Sequence, residues 1–292
     1  MNLSFRTAAV ALAFGAIVVV RGETIYGVTV NNRLVSFDSS TPGTLMSDVA
    51  ITGLASGEIA LGIDARPLTG QLYILGSSNK LYTVGLSGAA SAVGGGFAPG
   101  VTGTDYGFDF NPTVDRVRVT DEVDENRRLN PITGGSAAVD SNLTYAVGDA
   151  NFGVNPNIVG SAYTNNFAGA TSTTLYNIDS NLDILVTQVP PNNGSLNTVG
   201  SLGVNTTGLV GFDISGTSGR AFASLTSPGA NVTASNLFGM NLMTGQATFI
   251  GTIGNGVDCA PLRGMTVVPE PTTMALFAIG GAAMALRRRR KN

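Results

Sequence analysis

The densest group of acidic side chains in the sequence lies between positions 121 and 125. Asp121, Glu122, Asp124 and Glu125 are followed directly by an asparagine and two arginines. Carboxylate oxygens are the ligands that calcium prefers, so Asp121, Asp124 and Glu125 are candidate calcium ligands. The adjacent arginines favour a different interpretation, a solvated turn whose acids form ion pairs. We therefore predict no bound metal or other cofactor, with calcium at this loop as the alternative.

Three further aspartates occupy equivalent places in a repeating pattern. Asp64, Asp109 and Asp213 each follow a glycine by two residues, and the matching positions of two other segments are Ala162 and Thr266. Carboxylates that converge can bind a metal ion or carry out acid–base catalysis. Repeated acids at strand ends also cap turns and connect neighbouring repeats through hydrogen bonds. Because two of the five positions are not acidic, we expect the structural role.

The composition removes most of the usual catalytic groups. The chain has 292 residues, no histidine and one cysteine, Cys259. Without histidine, a cysteine–histidine pair cannot form, and the commonest acid–base group is absent. We therefore predict that the protein is not an enzyme and has no catalytic residues. Residues 23–268 carry 18 acidic residues against 9 basic ones, which argues against nucleic acid as a partner.

A repeat in the sequence determines where these residues lie. The five pattern positions are 45, 53, 51 and 53 residues apart. Each repeat contains short segments of alternating polar and apolar residues separated by turn residues, which indicates four strands. Five such units predict an all-β fold over residues 23–268, a five-bladed β-propeller of four-stranded antiparallel blades.

The two ends of this domain complement each other. It begins at Thr24–Thr29 with a segment typical of the second strand of a blade, and residues 264–268 match a first strand. We therefore expect the strand at 264–268 to join the first blade and close the ring, which removes exposed sheet edges. A pair of β-sandwiches is the alternative, but it would not explain five regularly spaced markers.

The first 22 residues have the features of an export signal. Arg6 precedes an apolar run over residues 7–20, which is the length of a signal-peptide core. We predict a signal peptide over residues 1–22, and an uncleaved N-terminal anchor is the alternative.

The last 24 residues form a second targeting segment. Pro269, Glu270 and Pro271 precede an apolar stretch over residues 272–286, which predicts a short transmembrane helix. The basic cluster that follows is expected to stay in the cytoplasm, and it consists of Arg287, Arg288, Arg289, Arg290 and Lys291. The propeller would then lie outside the inner membrane while the tail tethers it there transiently. An ordinary C-terminal anchor is the alternative.

This tail resembles the PEP-CTERM sorting signal of Gram-negative bacteria. The resemblance rests on the Pro-Glu-Pro motif, the short hydrophobic helix and the terminal arginine cluster, in that order. It implies recognition by an exosortase, a membrane cysteine protease, followed by removal of the tail. It also implies delivery to the cell surface or to the extracellular matrix.

The body resembles a bacterial secreted propeller family of unassigned function. The resemblance rests on residues 107–112, 115–119 and 126–134. Because no activity is assigned to that family, the resemblance implies the fold and indicates no catalytic or binding residue.

These observations predict a non-enzymatic surface or matrix protein that binds exopolysaccharide or an envelope partner. Tyr106, Tyr145 and Tyr163 are candidate sugar contacts among polar loops. One alternative is a metal-dependent lactonase or esterase-like hydrolase, with Asp64 and the two equivalent aspartates at the central channel. Another is a platform on which other proteins dock.

Overall fold

Five antiparallel β-sheets surround a common axis in the computed structural model, which describes residues 22–229 and 233–268. Strands are numbered along the chain, and each blade is given from the axis outward. Blade 1 contains β21 (Leu262–Val268), β1 (Thr24–Thr29), β2 (Arg33–Asp38) and β3 (Leu45–Ala50). Blade 2 contains β4 (Ala60–Ala65), β5 (Leu72–Gly76), β6 (Lys80–Val84) and β7 (Ala90–Val93). Blade 3 contains β8 (Tyr106–Asn111), β9 (Arg116–Asp121), β10 (Asn126–Leu129) and β11 (Ser136–Val139).

The remaining two blades follow the same order. Blade 4 contains β13 (Ile158–Tyr163), β14 (Leu175–Asp179), β15 (Ile184–Gln188) and β16 (Ser195–Ser201). Blade 5 contains β17 (Val210–Ile214), β18 (Ala221–Leu225), β19 (Asn236–Met240) and β20 (Ala247–Thr252). The short strand β12 (Thr144–Tyr145) adds a fifth strand to blade 4, parallel to β16. The predicted five-bladed propeller is therefore confirmed, with this one addition to the four-stranded pattern.

The last strand closes the ring as predicted. β21 pairs antiparallel with β1, with Thr24 opposite Val268 and Thr29 opposite Leu262. The strand starts two residues before the predicted position 264, where the Leu262 N–H donates to Ser235 Oγ at 2.9 Å. The first blade is thus built from both ends of the domain, so the ring has no open junction.

The recurring glycines allow the innermost strands to approach one another at the axis. A Cβ atom on Gly62 would lie 2.7 Å from Phe108 Cβ in the next blade. A Cβ on Gly211 would lie 2.7 Å from the backbone nitrogen of Met265. No real Cβ tolerates such contacts, so the close approach of the neighbouring blade requires glycine at both positions.

The contacts between blades are mostly apolar, with one polar exception. Blades 4 and 5 enclose buried side chains such as Leu185 and Phe212. Between blades 3 and 4 lies Arg118, which is 1% exposed. Its guanidinium donates hydrogen bonds at 2.6–2.8 Å to Asp140 and to two asparagines, Asn126 and Asn192. This polar network connects blade 3 with the loop between β15 and β16 of blade 4.

Several predicted segments lie outside the described residues. They are the signal peptide, the Pro269–Glu270–Pro271 motif, the helix at 272–286 and the basic cluster at 287–291. Within residues 22–229 and 233–268, no helix is both long and apolar enough to cross a membrane.

Candidate functional site

The three recurring aspartates meet at the axis of the propeller. Asp64 lies in β4, Asp109 in β8 and Asp213 in β17, so each comes from a different blade. One carboxylate oxygen from each lies within 4.8 Å of the others. All three residues are at most 1% exposed. The repeat therefore brings together acids that are 45 and 104 residues apart in the sequence.

Each of these carboxylates also accepts a hydrogen bond from the backbone of the next blade. The donor is always the residue that follows the marker position in that blade. The bonds are Phe110 N–H to Asp64 Oδ2 at 2.7 Å, Tyr163 N–H to Asp109 Oδ2 at 2.8 Å, and Val267 N–H to Asp213 Oδ2 at 2.6 Å. The aspartates therefore connect neighbouring blades, as the structural interpretation of the sequence predicts.

The two non-acidic marker positions are accommodated differently. Thr266 places its hydroxyl 2.8 Å from Asp64 Oδ1 and 3.0 Å from Asp213 Oδ2, and it also accepts the Ala65 N–H at 3.2 Å. Ala162 offers no acceptor, and the Ile214 N–H of the next blade instead donates to its neighbour Asp213 at 2.6 Å. Every backbone donor next to a marker position in the ring thus has a partner.

The electrostatics of this cluster are unusual because it contains like charges in a buried space. Burial, followed by the nearby Asp213, raises the pKa of Asp64 well above its usual range. Burial and the other two aspartates do the same for the pKa of Asp109, and burial raises the pKa of Asp213 to about 6. Asp109 Oδ1 is buried and has no hydrogen-bond partner among the described residues.

A cleft of about 570 Å³ opens next to the aspartates, where the innermost strands end. It is lined by residues 65–70, 166–168, 216–217 and 267–268. Asn166 connects the cleft with the cluster, because its Nδ2 lies 3.5 Å from Asp213 Oδ1. The amide oxygen of Asn166 is buried without a partner. Phe167, which is 48% exposed, presents an aromatic ring in the cleft.

The acidic residues at 121–125 form the hairpin turn between β9 and β10. Asp121 Oδ1 accepts the Glu125 N–H at 2.8 Å, and Glu122 accepts the Thr104 N–H at 2.7 Å. Glu125 forms an ion pair with Arg127 at 2.6 Å. Among the described residues, only the axial aspartates bring three acidic oxygens this close together. Asp121, Asp124 and Glu125 do not form such a group of three, and calcium at this loop stays an untested prediction.

The three tyrosines proposed as sugar contacts are all buried, at 5% exposed or less. The hydroxyl of Tyr106 donates to the Gly103 carbonyl, and that of Tyr145 donates to Asp179 Oδ2 at 2.6 Å. The Tyr163 hydroxyl accepts from Arg118 Nε at 3.3 Å. Their rings are therefore not available to a sugar, and this prediction is wrong. The residues of the cleft were missed, and the length of the polar loop after β13 was the only signal for them.

Comparisons with known proteins bear on both the body and the tail. A family model described as Domain of unknown function (DUF4394) matches residues 33–265, and the PEP-CTERM protein-sorting motif matches residues 267–290. Both resemblances stated from the sequence are thereby confirmed. The sorting motif implies exosortase as the processing enzyme, export, and a passage during which the tail anchors the chain in the membrane.

Two further comparisons add little to this picture. No curated protein matches the sequence. Among solved structures, the chain is similar to Kuenenia stuttgartiensis hydrazine synthase, at 14% identity and a TM-score of 0.41. The match covers 69% of this chain and 53% of the other, so the chain spans about half the length of that structure.

Proposed function

This chain belongs to the DUF4394 family and carries a PEP-CTERM sorting motif, and from this premise we propose that it is a non-catalytic binding protein of the cell surface or extracellular matrix. The observation that carries the proposal is the position of the sorting motif. The match begins at residue 267, inside the closing strand β21, so the propeller itself is the body that exosortase releases. No other described domain lies between the two.

We place the binding site in the cleft and propose exopolysaccharide as its ligand. Small-ligand sites combine apolar walls with a few polar groups that fix orientation. Here Phe167 supplies an exposed aromatic face, and Asn166, Thr69 and Thr217 supply hydrogen-bonding groups. The Arg66 side chain, which also lines the cleft, is held in place by Asp115, with Arg66 Nε 2.8 Å from Asp115 Oδ1. An aromatic ring with neutral polar neighbours suits a sugar ring better than a strongly charged ligand.

Binding of the purified full-length chain in detergent to exopolysaccharide from the same bacterium tests this assignment. We expect saturable binding that Phe167→Ala weakens by about tenfold, the loss of roughly 1.4 kcal/mol of contact energy. Phe152→Ala is the matched control, because Phe152 is similarly exposed, at 59%, and does not line the cleft. Absence of binding, or an equal loss of affinity in both variants, would overturn the proposal and favour a protein partner instead.

The sorting step is tested separately by deleting residues 269–292. We expect the shortened chain to be exported but not to reach the location of the intact protein. If both forms have the same final location, the tail is not the sorting signal of this protein.

A metal-dependent hydrolase of the lactonase or esterase class is the second candidate, because the axial aspartates converge next to the cleft. Their burial speaks against it, since side chains that are at most 1% exposed offer no surface to a substrate. The other nucleophile, Cys259, is also buried, and burial raises its pKa to about 11. Hydrolysis of lactone or aryl-ester substrates with added divalent metal that is abolished by Asp109→Asn would establish the enzyme instead.

A further inference from the structure

The separation of the axial carboxylates fits the coordination of a single cation. Oxygens bound to calcium lie about 2.3–2.6 Å from the ion, so two of them are at most about 5 Å apart. One oxygen each from Asp64, Asp109 and Asp213 meets this condition, because all three lie within 4.8 Å of one another. Three different blades contribute them, so an ion at this point would contact the ring from three sides.

Two buried oxygens at this place have no hydrogen-bond partner among the described residues. The first is Asp109 Oδ1, whose sister oxygen Oδ2 is already bonded to the Tyr163 N–H. The second is the amide oxygen of Asn166, whose nitrogen lies 3.5 Å from Asp213 Oδ1. Buried polar atoms without a partner are rare in folded proteins and call for a specific explanation. A cation among the three aspartates would satisfy the Asp109 oxygen.

The hydrogen bonds around the cluster partly oppose the effect of burial, which raises the pKa of all three aspartates. Asp64 accepts bonds from two backbone N–H groups, and so does Asp213. Donors of this kind stabilise the charged form of a carboxylate. Within the described residues, no arginine or lysine forms a salt bridge with any of the three aspartates. Within the described residues the cluster therefore has no positive partner, a role that a bound cation would fill.

The ligand atoms available at this site favour a hard cation. The side chains that converge here offer carboxylate, amide and hydroxyl oxygens and no sulfur or imidazole, which suits calcium, magnesium or manganese. Calcium accepts six to eight oxygens in irregular geometry, whereas magnesium requires a near-ideal octahedron and retains water. The hydrogen bonds from Phe110, Tyr163 and Val267 fix the orientation of the three carboxylates. Because this orientation is set by the contacts between blades and not by a metal, calcium, which accepts irregular geometry, is favoured over magnesium.

We propose that Asp64, Asp109 and Asp213 bind one calcium ion on the axis of the propeller, with Asn166, whose Nδ2 lies 3.5 Å from Asp213 Oδ1, as an outer-shell partner. The ion connects blades 2, 3 and 5 and offsets the repulsion among their carboxylates. Since it binds the closed ring and not the unfolded chain, calcium raises the stability of the folded protein. Asn166 borders both the calcium site and the cleft, but Phe167 belongs only to the cleft and Asp109 only to the calcium site, so the variants at these two positions test the two assignments independently.

The test is calcium binding by the full-length chain in detergent, measured by titration calorimetry, with thermal unfolding in calcium and in chelator. We expect one calcium ion per chain and a higher unfolding midpoint in calcium. Loss of an outer-shell partner typically lowers metal affinity by roughly 10- to 100-fold. Asp109→Asn removes a direct ligand, so the calcium affinity of this variant should fall by at least that much. Magnesium and manganese, titrated alone, should bind more weakly than calcium.

The matched control is Asp121→Asn in the acidic hairpin. Asp121 is also buried and also has an unpartnered oxygen, but it is not part of the axial group. It should bind calcium as the unmodified chain does. If Asp109→Asn does not fold, Asn166→Ala in the loop after β13 takes its place and should weaken binding by about tenfold. No calcium binding, or a loss confined to Asp121→Asn, would overturn the proposal.

Discussion

The axial aspartates and the acidic hairpin are both clusters of carboxylates, but they are balanced in different ways. In the hairpin, Glu125 pairs with Arg127 at 2.6 Å, and Glu122 accepts bonds from the backbone and hydroxyl of Thr104. On the axis, the donors are backbone N–H groups and the Thr266 hydroxyl, and no described salt bridge contributes. The hairpin has a positive partner beside its carboxylates, whereas the axis surrounds its carboxylates with neutral dipoles, and burial raises the pKa of all three.

This difference shows that the number of acidic residues in one segment of the sequence does not predict where the fold brings carboxylates together. Four acids within five residues spread over one turn and fasten the chain at 102–105 to it. Three acids from distant repeats share one buried space. The variants below test the contrast, from the largest expected effect to the smallest.

Ala162→Asp adds a fourth carboxylate to the axis and should cause the largest loss of stability. Ala162 is fully buried in the apolar cluster between blades 4 and 5. An uncompensated charge there should lower the free energy of unfolding by about 3–5 kcal/mol. Ala162→Asn adds nearly the same volume without the charge and is the control in urea unfolding. Equal losses in the two variants would show that space, and not charge, limits this position.

Thr266→Val should cost about 1–2 kcal/mol, because it removes the hydroxyl that lies between Asp64 and Asp213 and keeps the side-chain shape. Thermal unfolding measures the loss. Thr248→Val, on the exposed outer strand β20, makes the same chemical change away from the axis and should have little effect. If both substitutions cost the same, the axial hydroxyl contributes nothing specific.

Asp121→Asn should change how stability depends on pH. Burial, followed by the neighbouring Glu125, raises the pKa of Asp121 to about 7, above its ordinary value of 3.8. The folded chain therefore binds this proton more tightly than the unfolded chain. The contribution of this proton to the free energy of unfolding is complete below about pH 4 and is lost as the pH rises to about 7.

Asparagine does not titrate, so the stability of the Asp121→Asn variant does not fall in this way as the pH rises. The stability difference between variant and unmodified chain should therefore shift in favour of the variant by about 1 kcal/mol for each unit of pH between 4 and 7. Urea unfolding at several pH values measures it. A difference that is constant across this range would contradict the raised pKa.

Glu125→Gln should have the smallest effect. It removes a half-buried ion pair with Arg127 but keeps an oxygen that can accept the Thr102 N–H. We expect a loss of about 0.5–1 kcal/mol that shrinks at high salt. Repeating the unfolding measurement in 1 M salt, about a threefold shorter screening length, separates the two contributions. A larger loss of stability that does not depend on salt would show that this ion pair is shielded from solvent, as the axial aspartates are.

The sequence predicts those features that recur and misses those that arise from several loops together. The Gly-x-Asp markers predict the blades, their number and the closing strand, because each residue has a repeated steric or hydrogen-bonding purpose. β12 was missed because two residues, Thr144 and Tyr145, carry no detectable alternation. The cleft was missed because its walls come from loops that are distant in sequence and differ in composition.

The errors have a common physical cause. Tyr106, Tyr145 and Tyr163 were assigned to loops, but all three belong to strands, where the pleat turns each ring into the protein. The structural role that the sequence predicts for Asp109 is not among these errors. Its bond to the Tyr163 N–H satisfies that expectation, but the free second oxygen depends on the exact meeting of three blades, which no single segment encodes.

The position of β21 has a consequence for quality control during synthesis. The strand that completes the ring spans residues 262–268, and the match to the sorting motif starts at 267. A chain terminated by a premature stop codon before residue 262 would lack both. It would leave β1 with an unpaired edge and would carry no address for exosortase. Only translation products that contain the means to finish the ring can therefore enter the sorting route.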